Sequence, residues 1–457
     1  MSRQERAQNF LKQPQLSTSV REVLDQKGFV LGEWPEEKWW GMFHEKELSS
    51  LIAAALESNP TLQAIKERIG FAKEEAVIAR SKFFPLVYFD IDVNQTWLSK
   101  YGLYRTLNPS ISRSSTQIDF GLSFSYEFDF WSKYKNLYRA AKFREYMEVA
   151  ESKQVELVIS TALAQTYYAL KTNMQKKLLY EQLALVRKKY FALQSLLNRK
   201  ALFSKIPPTI SKESYLAAVQ KVADAKDEIA MNKHLINILM GKSPDDKLAI
   251  DDTCTEFNFT ITIPETLNLN LIARRPDLMA SILRTEALAC EVGVAIADFY
   301  PNINLKAFTG FESLQPSKLF EAQDSQISII PALSLPVYTA GAIRANVRGK
   351  KNLYNQAVFQ YNELLLKSTQ EIADVLSFLE AVFQKKDCQA SIGDQAEIRN
   401  KIVTHNYVKG LSDLLEVYIT EEQVIQESID NIELIYAQYL GAIKLIKALG
   451  GGYHEDQ

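Results

Sequence analysis

The chain has 457 residues, of which 47% are hydrophobic and 24% are charged, and its formal net charge is −2. A balance this close to neutral argues against the basic surface of a nucleic-acid-binding protein, so no nucleic-acid partner is expected. The sequence has no apolar run of about 18 residues, which excludes a helix that spans a membrane. Residues 1–30 lack the apolar core of a signal peptide, so either a leader is removed before residue 1 or the chain is not secreted.

Residues 1–45 are predicted to form an N-terminal extended segment, which closes with an aromatic group of Trp39, Trp40 and Phe43. An amphipathic helix is predicted directly after this group. Its apolar residues recur on one side, at Leu48, Leu51, Ile52, Ala55 and Leu56. We expect this helix to pack against the segment that follows it.

That next segment, residues 59–85, recurs as residues 275–301. The prolines that open and close the first copy reappear in the second at a constant distance of 216 residues (276 − 60 and 301 − 85). Each pair of prolines encloses good helix formers, which predicts a helix of about 24 residues. The chain is therefore predicted to be a duplicated unit, with repeat 1 at 46–250, a linker at 251–274, repeat 2 at 275–449 and a C-terminal tail at 450–457.

After each copy the hydrophobic period changes to two, which predicts strands. Four strands are predicted, at 86–98, 116–131, 302–312 and 326–338. In the first of them, Val87, Phe89 and Ile91 alternate with Tyr88, Asp90 and Asp92. Each strand therefore has one apolar and one polar face.

Long stretches without a turn signal predict four further helices, at 132–200, 211–241, 340–408 and 412–448. Apolar residues recur in them in steps of three and four, which is the spacing of a coiled coil. Predicted turns join these helices in pairs, at 203–211, where Pro207 and Pro208 stand, and at 409–413. A continuous helix over 132–200 would be roughly 100 Å long.

The sequence shows no residue pattern of an enzyme or of a metal site. Its four histidines are scattered, and its three cysteines have neither metal-ligand spacing nor a disulfide framework. Gly241-Lys242-Ser243 resembles the end of a phosphate-binding loop, but Ile236 stands where that loop needs a glycine. We therefore expect no catalytic activity, no cofactor and no metal.

Two stretches resemble hallmarks of the outer-membrane efflux protein family, the TolC-like channels. They are ARRPDL (273–278), followed by Ala295, Tyr300-Pro301 and Gly310, and the pattern WW…F…L..LI..AL..NP.L at 39–62. The resemblance covers roughly 33–449 and is closest to the lipoprotein-type branch. Members of that branch commonly begin with a lipid-bearing cysteine, and no cysteine stands near this N-terminus.

The resemblance implies a passive exit duct in the outer membrane of a Gram-negative-type bacterium, with a helical domain in the periplasm. It implies a homotrimer in contact with outer-membrane lipid. It also implies two protein partners, a periplasmic adaptor (membrane fusion) protein and an inner-membrane RND-type transporter that supplies the energy. The cargo would be drugs or other small molecules. A type I protein-secretion channel stays open as an alternative, because nothing in the sequence separates the two.

The strand count leads to a shared barrel. Bacterial single-chain barrels have about eight strands or more, so four strands cannot close within one chain. Only helices and closed barrels satisfy the hydrogen bonds of every backbone group in a bilayer. Several chains must therefore share one barrel, either two chains with about eight strands in total or three chains with about twelve. The resemblance implies three. The predicted fold is mainly α with a membrane β-barrel: a trimeric 12-stranded barrel, four strands per chain, continued by a long α-helical periplasmic tunnel.

The two faces of the strands would then meet different surroundings. The apolar face is expected to meet lipid, at Phe89, Phe120, Phe124, Phe128, Ile329 and Leu333. The polar face is expected to line the lumen, at Asp90, Asp92, Asp119, Glu127, Asp129 and Lys306. The excess of acids over lysine predicts a lumen that favours cations.

The resemblance places the resting constriction at the helix turns farthest from the barrel. The gate candidates are Leu411, Asp413, Leu414 and Glu416. The two acids stand three residues apart on one helix face, and the leucines would supply an apolar constriction beside them. Family members often carry the gate acid two residues after the glycine, where this chain has Ser412. The alternative is that both acids are ordinary solvated residues, which are favourable near a helix N-terminus.

The rival interpretation from another class is a soluble coiled-coil scaffold with a small sheet. It accounts for the heptad spacing. It also leaves four aromatic strand faces in water, which favours aggregation. Solubility as a monomer without detergent would favour the scaffold.

Overall fold

The computed structural model describes Phe10 and residues 29–200, 204–248, 250, 261–264 and 274–454. Most of the predicted N-terminal segment, most of the predicted linker and residues 455–457 of the predicted tail lie outside these described residues. The chain divides into two compact units. The first includes Ile69–Met147 and Ser281–Gln360, and the second includes Leu11–Arg68, Glu148–Ala280 and Tyr361–Gln457. Each unit takes segments from both predicted repeats, so neither repeat is a compact body by itself.

Six strands occur in the described parts of the chain: β1 (Phe29–Gly32), β2 (Leu86–Trp97), β3 (Ser114–Glu127), β4 (Ile261–Pro264), β5 (Asn302–Ser313) and β6 (Ser325–Ser334). In the first unit, β2, β3, β5 and β6 form one antiparallel sheet in that order. The order places β2 and β6 at its two edges. In the second unit β1 pairs with β4 in parallel, between residues 232 positions apart (261 − 29), and the sequence does not predict this pair.

Two of the four predicted strands end four residues earlier than the prediction, because pairing decides where a strand stops. The predicted strand 326–338 ends at Ser334, which lies opposite Asn302, the first residue of β5. β5 therefore offers no partner to residues 335–338. The predicted strand 116–131 ends at Glu127, so Phe128 and Asp129 lie beyond it.

Eight α-helices lie in the described ranges: α1 (Lys46–Ser58), α2 (Pro60–Ser81), α3 (Leu103–Leu107), α4 (Lys133–Arg199), α5 (Ile206–Leu239), α6 (Pro276–Ala297), α7 (Ala342–Val408) and α8 (Leu414–Ala448). The repeated helices α2 and α6 have 22 residues each. α4 and α7 have 67 residues each, which makes them roughly 100 Å long. Among the helices described here, none is both long and apolar enough to cross a membrane.

α5 begins earlier than the sequence predicts. The prediction places Pro207 and Pro208 in a turn before a helix at 211, but in the structure they lie in the first turn of α5, which begins at Ile206. Proline lacks the backbone N–H that the first turn of a helix leaves unpaired in any case, so it is tolerated there. Residue 203, where the predicted turn begins, lies outside the described residues.

The core of the second unit joins α1 to the long helices. Leu48 of α1 is fully buried in one cluster with Leu163 of α4 and Ile443 of α8. Trp39 and Phe43 belong to the same cluster, and their rings meet edge to face with centroids 6.1 Å apart. Leu62 of α2 belongs to the same cluster, so the amphipathic helix shares a core with the segment that follows it as well as with the long helices, and the aromatic group before it contributes to that core.

Arg275, within the RRPDL sequence, joins three helices of the second unit and is only 5% exposed. Its guanidinium donates to the carboxylate of Asp277 in α6 at 2.8 Å and to that of Glu371 in α7 at 3.0 Å. It also donates to the backbone carbonyl of Ala448 in α8 at 2.9 Å. Burial alone would lower the pKa of Arg275, but the bonded carboxylates raise it above its ordinary value, so the side chain stays charged. The motif therefore has a structural role in the second unit.

Candidate functional site

The register of the first unit's sheet decides which residues share a face, because residues directly opposite each other point to the same side. Phe120 of β3 lies opposite Ile91 of β2 and Phe311 of β5. The face that contains Phe120 holds every predicted lipid-facing residue that lies in a strand: Phe89, Phe120, Phe124, Ile329 and Leu333. Phe89 and Phe120 meet edge to face, with ring centroids 5.1 Å apart. The remaining candidate, Phe128, follows the last residue of β3.

Much of this apolar face is open in the single chain. Phe89 is 58% exposed, Ile329 68% and Leu333 67%. A contiguous apolar surface of this kind marks contact with a membrane or with another protein, since soluble monomers rarely carry one.

The opposite face of the sheet is acidic. Asp92, Asp119 and Glu312 lie in register across β2, β3 and β5, and the amide of Gln117 donates to Asp119 at 3.3 Å and to Glu312 at 3.0 Å. The predicted lumen residues that lie in strands all share this face: Asp90, Asp92, Asp119, Glu127 and Lys306. Glu312 is an acid that the prediction misses, although the alternation along β5 places it on this side.

Asp129 is not a strand residue, contrary to the prediction. It lies beyond the end of β3, and its carboxylate accepts the backbone N–H of Lys135, in the first turn of α4, at 2.9 Å. A carboxylate there satisfies one of the N–H groups that a helix start leaves unpaired. The acid is therefore used in the connection from strand to helix.

Two glycines meet on the acidic face. Gly121 of β3 lies opposite Gly310 of β5, and a Cβ added to Gly310 would lie 2.6 Å from the Cα of Gly121. A Cβ added to Gly121 would lie 2.9 Å from the ring of Phe308. The strands approach at this point so closely that neither position has room for a side chain.

The turn after α7 is closed by a glycine and followed by a capped helix. Gly410 has a left-handed backbone with φ of 75°, and the N–H of Leu411 donates to the carbonyl of Asn406 at 2.9 Å, which ends α7. Asp413 is the N-cap of α8: its carboxylate accepts the N–H of Glu416 at 2.8 Å.

The two gate candidates with acidic side chains are therefore part of the helix start. The carboxylate of Glu416 accepts the hydroxyl of Ser412, and Asp413 and Glu416 together resemble a capping box. Leu411 is 76% exposed, whereas Leu414 is half-buried. The structure thus gives both acids a local role in the single chain, and it leaves their carboxylates at the surface of the turn.

No group of three or more acidic, histidine or cysteine side chains that could hold a metal ion is found among the residues that the structure describes. Two features of the described residues bear on function. One is the sheet with one apolar and one acidic face, and the other is the capped turn between α7 and α8.

Comparison with known proteins identifies the family. The sequence model described as "Outer membrane efflux protein" matches residues 51–199 and 269–451, more than two thirds of the chain. The multidrug resistance outer membrane protein MdtP of Escherichia coli (strain K12) is 26% identical over 447 residues, which cover 96% of this chain and 91% of that protein. MdtQ of Escherichia coli O6:H1, also a multidrug resistance outer membrane protein, is 25% identical over 92% of this chain and 89% of its own length.

Solved structures give the same fold. The outer-membrane channel OprN superposes with a TM-score of 0.85 at 19% identity and covers 97% of each chain. The outer membrane protein VceC of Vibrio cholerae superposes with a TM-score of 0.81 at 26% identity and covers 92% of this chain and 100% of its own. The predicted fold class and outer-membrane location are confirmed. The chain therefore belongs to the outer membrane efflux protein family, and it serves efflux at the outer membrane with a TolC-like fold of long helices and a barrel-forming sheet.

Proposed function

We propose that this chain is the passive exit duct of a tripartite multidrug efflux system. Small molecules would reach it from an inner-membrane RND-type transporter through a periplasmic adaptor. The observation that carries the proposal is the sheet with one apolar and one acidic face, placed on the same chain as helices of 67 residues. The names of the relatives MdtP and MdtQ, which refer to multidrug resistance, favour small molecules over proteins as cargo.

The sheet supports a trimer as the functional form. Its four strands leave two edges whose backbone groups have no partner within the sheet, and a bilayer offers none. Barrels of about eight strands have an interior that side chains fill, so two copies would leave no passage. Three copies would give about twelve strands and room for an aqueous lumen. The apolar face would then meet lipid and the acidic face would line the lumen.

The turn between α7 and α8 is the proposed gate. Leu411 is an exposed apolar residue beside two surface carboxylates, Asp413 and Glu416. Three-fold symmetry would bring these groups from three copies near one axis, where like charges repel unless protons, cations or partner contacts hold them. Asp413 would thus cap α8 within one copy, and the two acids together would set how easily the turns of the three copies separate.

Deletion of the gene in its own host tests the proposed cargo. We expect increased susceptibility to several drugs, which a plasmid copy of the gene reverses, and an unchanged set of secreted proteins. Loss of a secreted protein at unchanged drug susceptibility would instead identify a type I secretion channel. If the protein instead stays soluble as a monomer without detergent, the proposed duct is wrong.

A further inference from the structure

The two repeats keep one register along their paired helices. α2 and α6 have 22 residues each and begin 216 positions apart (276 − 60). α4 and α7 have 67 residues each and begin 209 positions apart (342 − 133). The sequence agrees with this register, because Arg139 and Lys142 of α4 recur as Arg348 and Lys351 of α7. Every residue of α2 therefore has one equivalent in α6, and every residue of α4 has one in α7.

An arginine of repeat 1 is held by two carboxylates. The guanidinium of Arg68, in α2, forms ion pairs with Glu148 and Glu151 of α4, at N–O distances of 2.6 Å and 2.8 Å. The two acids stand three residues apart, so they lie on the same face of α4. These ion pairs join the short helix of repeat 1 to its long helix.

Repeat 2 has the arginine without the acids. The equivalent of Arg68 is Arg284 (68 + 216), and the equivalents of the two acids are Ala357 (148 + 209) and Gln360 (151 + 209). Neither of these two side chains carries a charge. Arg284 forms no ion pair and no side-chain hydrogen bond with any residue that the structure describes.

A cavity lies at the place of the missing acids. It has a volume of about 190 Å³, and Arg284, Ala357 and Gln360 line it together in the first unit. Repeat 1 has the bulky Phe71 where repeat 2 has Ala287 (71 + 216), which also lines the cavity. Repeat 2 thus has smaller side chains and two fewer negative charges at this place.

The cavity has an excess of positive charge. Of the described residues that line it, Glu291 alone is acidic, and both of its carboxylate oxygens are already bonded. One accepts from the guanidinium of Arg144 in α4, and the other accepts from the ammonium of Lys350 in α7 at 2.7 Å. Arg144 and Arg284 both line the cavity, so the one paired carboxylate does not balance the positive charge around it.

We propose that this cavity binds a small organic carboxylate, with its carboxylate against Arg284 and its apolar part inside the cavity. The ligand would give Arg284 the negative charge that Arg68 receives from its own chain. The lining comes from α4, α6 and α7 of one chain, so the proposal rests neither on the trimer nor on the proposed function.

The walls and the volume define the apolar part of the ligand. Met147, Leu288 and Leu353 contribute apolar side chains to the lining, so an apolar group is removed from water there. Cavities of about 150 Å³ hold a benzene molecule. The site therefore suits an aromatic monocarboxylate of the size of benzoate.

Equilibrium dialysis with benzoate tests the site on the full chain in detergent. We expect saturable binding of one benzoate per chain. Benzamide is the matched neutral probe, because it has the same ring and nearly the same shape without the charge. We expect benzamide to bind about tenfold or more weakly, the loss of one charged hydrogen bond. Uptake by detergent micelles is common to all variants and cancels from their comparison.

Three variants locate the binding. Arg284→Gln should weaken benzoate binding by about tenfold or more. Arg68→Gln is the matched control and should bind as the wild type does, because that arginine already has two acids as partners. Ala357→Glu combined with Gln360→Glu copies the side chains of repeat 1 and keeps Arg284. This double variant should lose benzoate binding, since the introduced carboxylates occupy the cavity. Helical circular dichroism confirms that each variant is folded.

The contrary outcomes are equally distinct. Benzoate binding that Arg284→Gln leaves unchanged, or equal binding of benzoate and benzamide, would overturn the proposed site. Inorganic phosphate should displace little benzoate at equal concentration. Full displacement by phosphate would show a general anion site and overturn the assignment to an organic carboxylate. None of these results depends on drug susceptibility or on assembly, so the site and the proposed function fail separately.

Discussion

Replacing Arg275 with leucine should loosen the second unit, because this buried side chain bonds three helices at once. The substitution leaves the carbonyl of Ala448 without its donor, which costs about 1–3 kcal/mol. It also leaves Asp277, whose side chain is 18% exposed, without its cation. Breaking a buried ion pair costs about 3–5 kcal/mol.

Two effects reduce that cost. The carboxylate of Glu371 is 58% exposed, so its share of the interaction is screened by solvent and small. Leucine also regains some apolar burial. We therefore expect the free energy of unfolding to fall by about 3 kcal/mol, at the lower end of the range for a broken buried pair.

Thermal unfolding of the detergent-solubilised protein, followed by the helical circular dichroism signal, measures this change. We expect the apparent melting temperature of Arg275→Leu to fall by about 3 °C, because an unfolding entropy of ~2.1 cal/mol/K per residue over 457 residues gives about 1 °C per kcal/mol. Arg274→Leu is the matched control, because Arg274 makes a single cation–π contact with Trp34, with its guanidinium carbon 5.7 Å from the ring centroid. Both residues are half-buried, and such a contact contributes about 0.5–2 kcal/mol, less than a broken buried ion pair costs. If both variants melt together with the wild type, the buried ion pair does not hold the three helices.

Four further outcomes are expected. Phe124→Arg should lower the yield of assembled trimer on native gels, since an arginine on the lipid face costs about 2–4 kcal/mol near the midplane. Gly310→Ala should also reduce assembly, because the added Cβ would lie 2.6 Å from the Cα of the opposite glycine. Asp92→Asn should weaken the cation preference of the channel in bilayer conductance, since it removes lumen charge from every copy. Asp413→Asn combined with Glu416→Gln should change the resting conductance and its dependence on pH and divalent cations, while asparagine still caps α8.

Each of these outcomes has a control or a result that would contradict it. Phe124→Leu keeps the face apolar and should assemble normally, so equal assembly of Phe124→Arg would remove Phe124 from the lipid face. Gly349→Ala, in α7, has nothing within 4 Å of the added Cβ and should be tolerated. Unaltered ion selectivity of the Asp92→Asn channel would argue against the prediction that the negative charge of the lumen sets a preference for cations. Unchanged conductance of the double amide variant in an intact trimer would remove both acids from the gate.

Local signals predict the paired elements well. The prolines bracket α2 and α6, and the change of period after Pro85 and Pro301 sets the first residues of β2 and β5, at 86 and 302. These helix limits and strand starts depend only on residues that are neighbours in sequence, so they can be predicted from the sequence alone. The double proline in the first turn of α5 shows the limit of such signals, because the same residues suit either a turn or the first turn of a helix.

Contacts between distant residues could not be predicted in this way. The bonds of Arg275 to Glu371 and Ala448 join positions about a hundred or more residues apart, and no periodicity marks them.

The role of Asp413 as an N-cap is a local feature that the pattern Asp-Leu-Leu-Glu could have shown, because acids three residues apart are typical of a helix start. The prediction's alternative to a gate was only that both acids are solvated residues near a helix N-terminus, without the N-cap role of Asp413.

The equal lengths of α4 and α7 restrict how such a chain can change its length in evolution. Both helices have 67 residues, and their return helices α5 and α8 have 34 and 35. Removing one heptad from α4 alone would shorten it by roughly 10 Å and bring its tip out of level with that of α7. A viable shortening would need matching deletions in all four helices. The turn from α4 to α5 and the turn from α7 to α8 would otherwise lie at different distances along the helical region. Natural insertions and deletions in the helical region should therefore occur as coordinated sets, whereas the loops between the strands are free to vary singly.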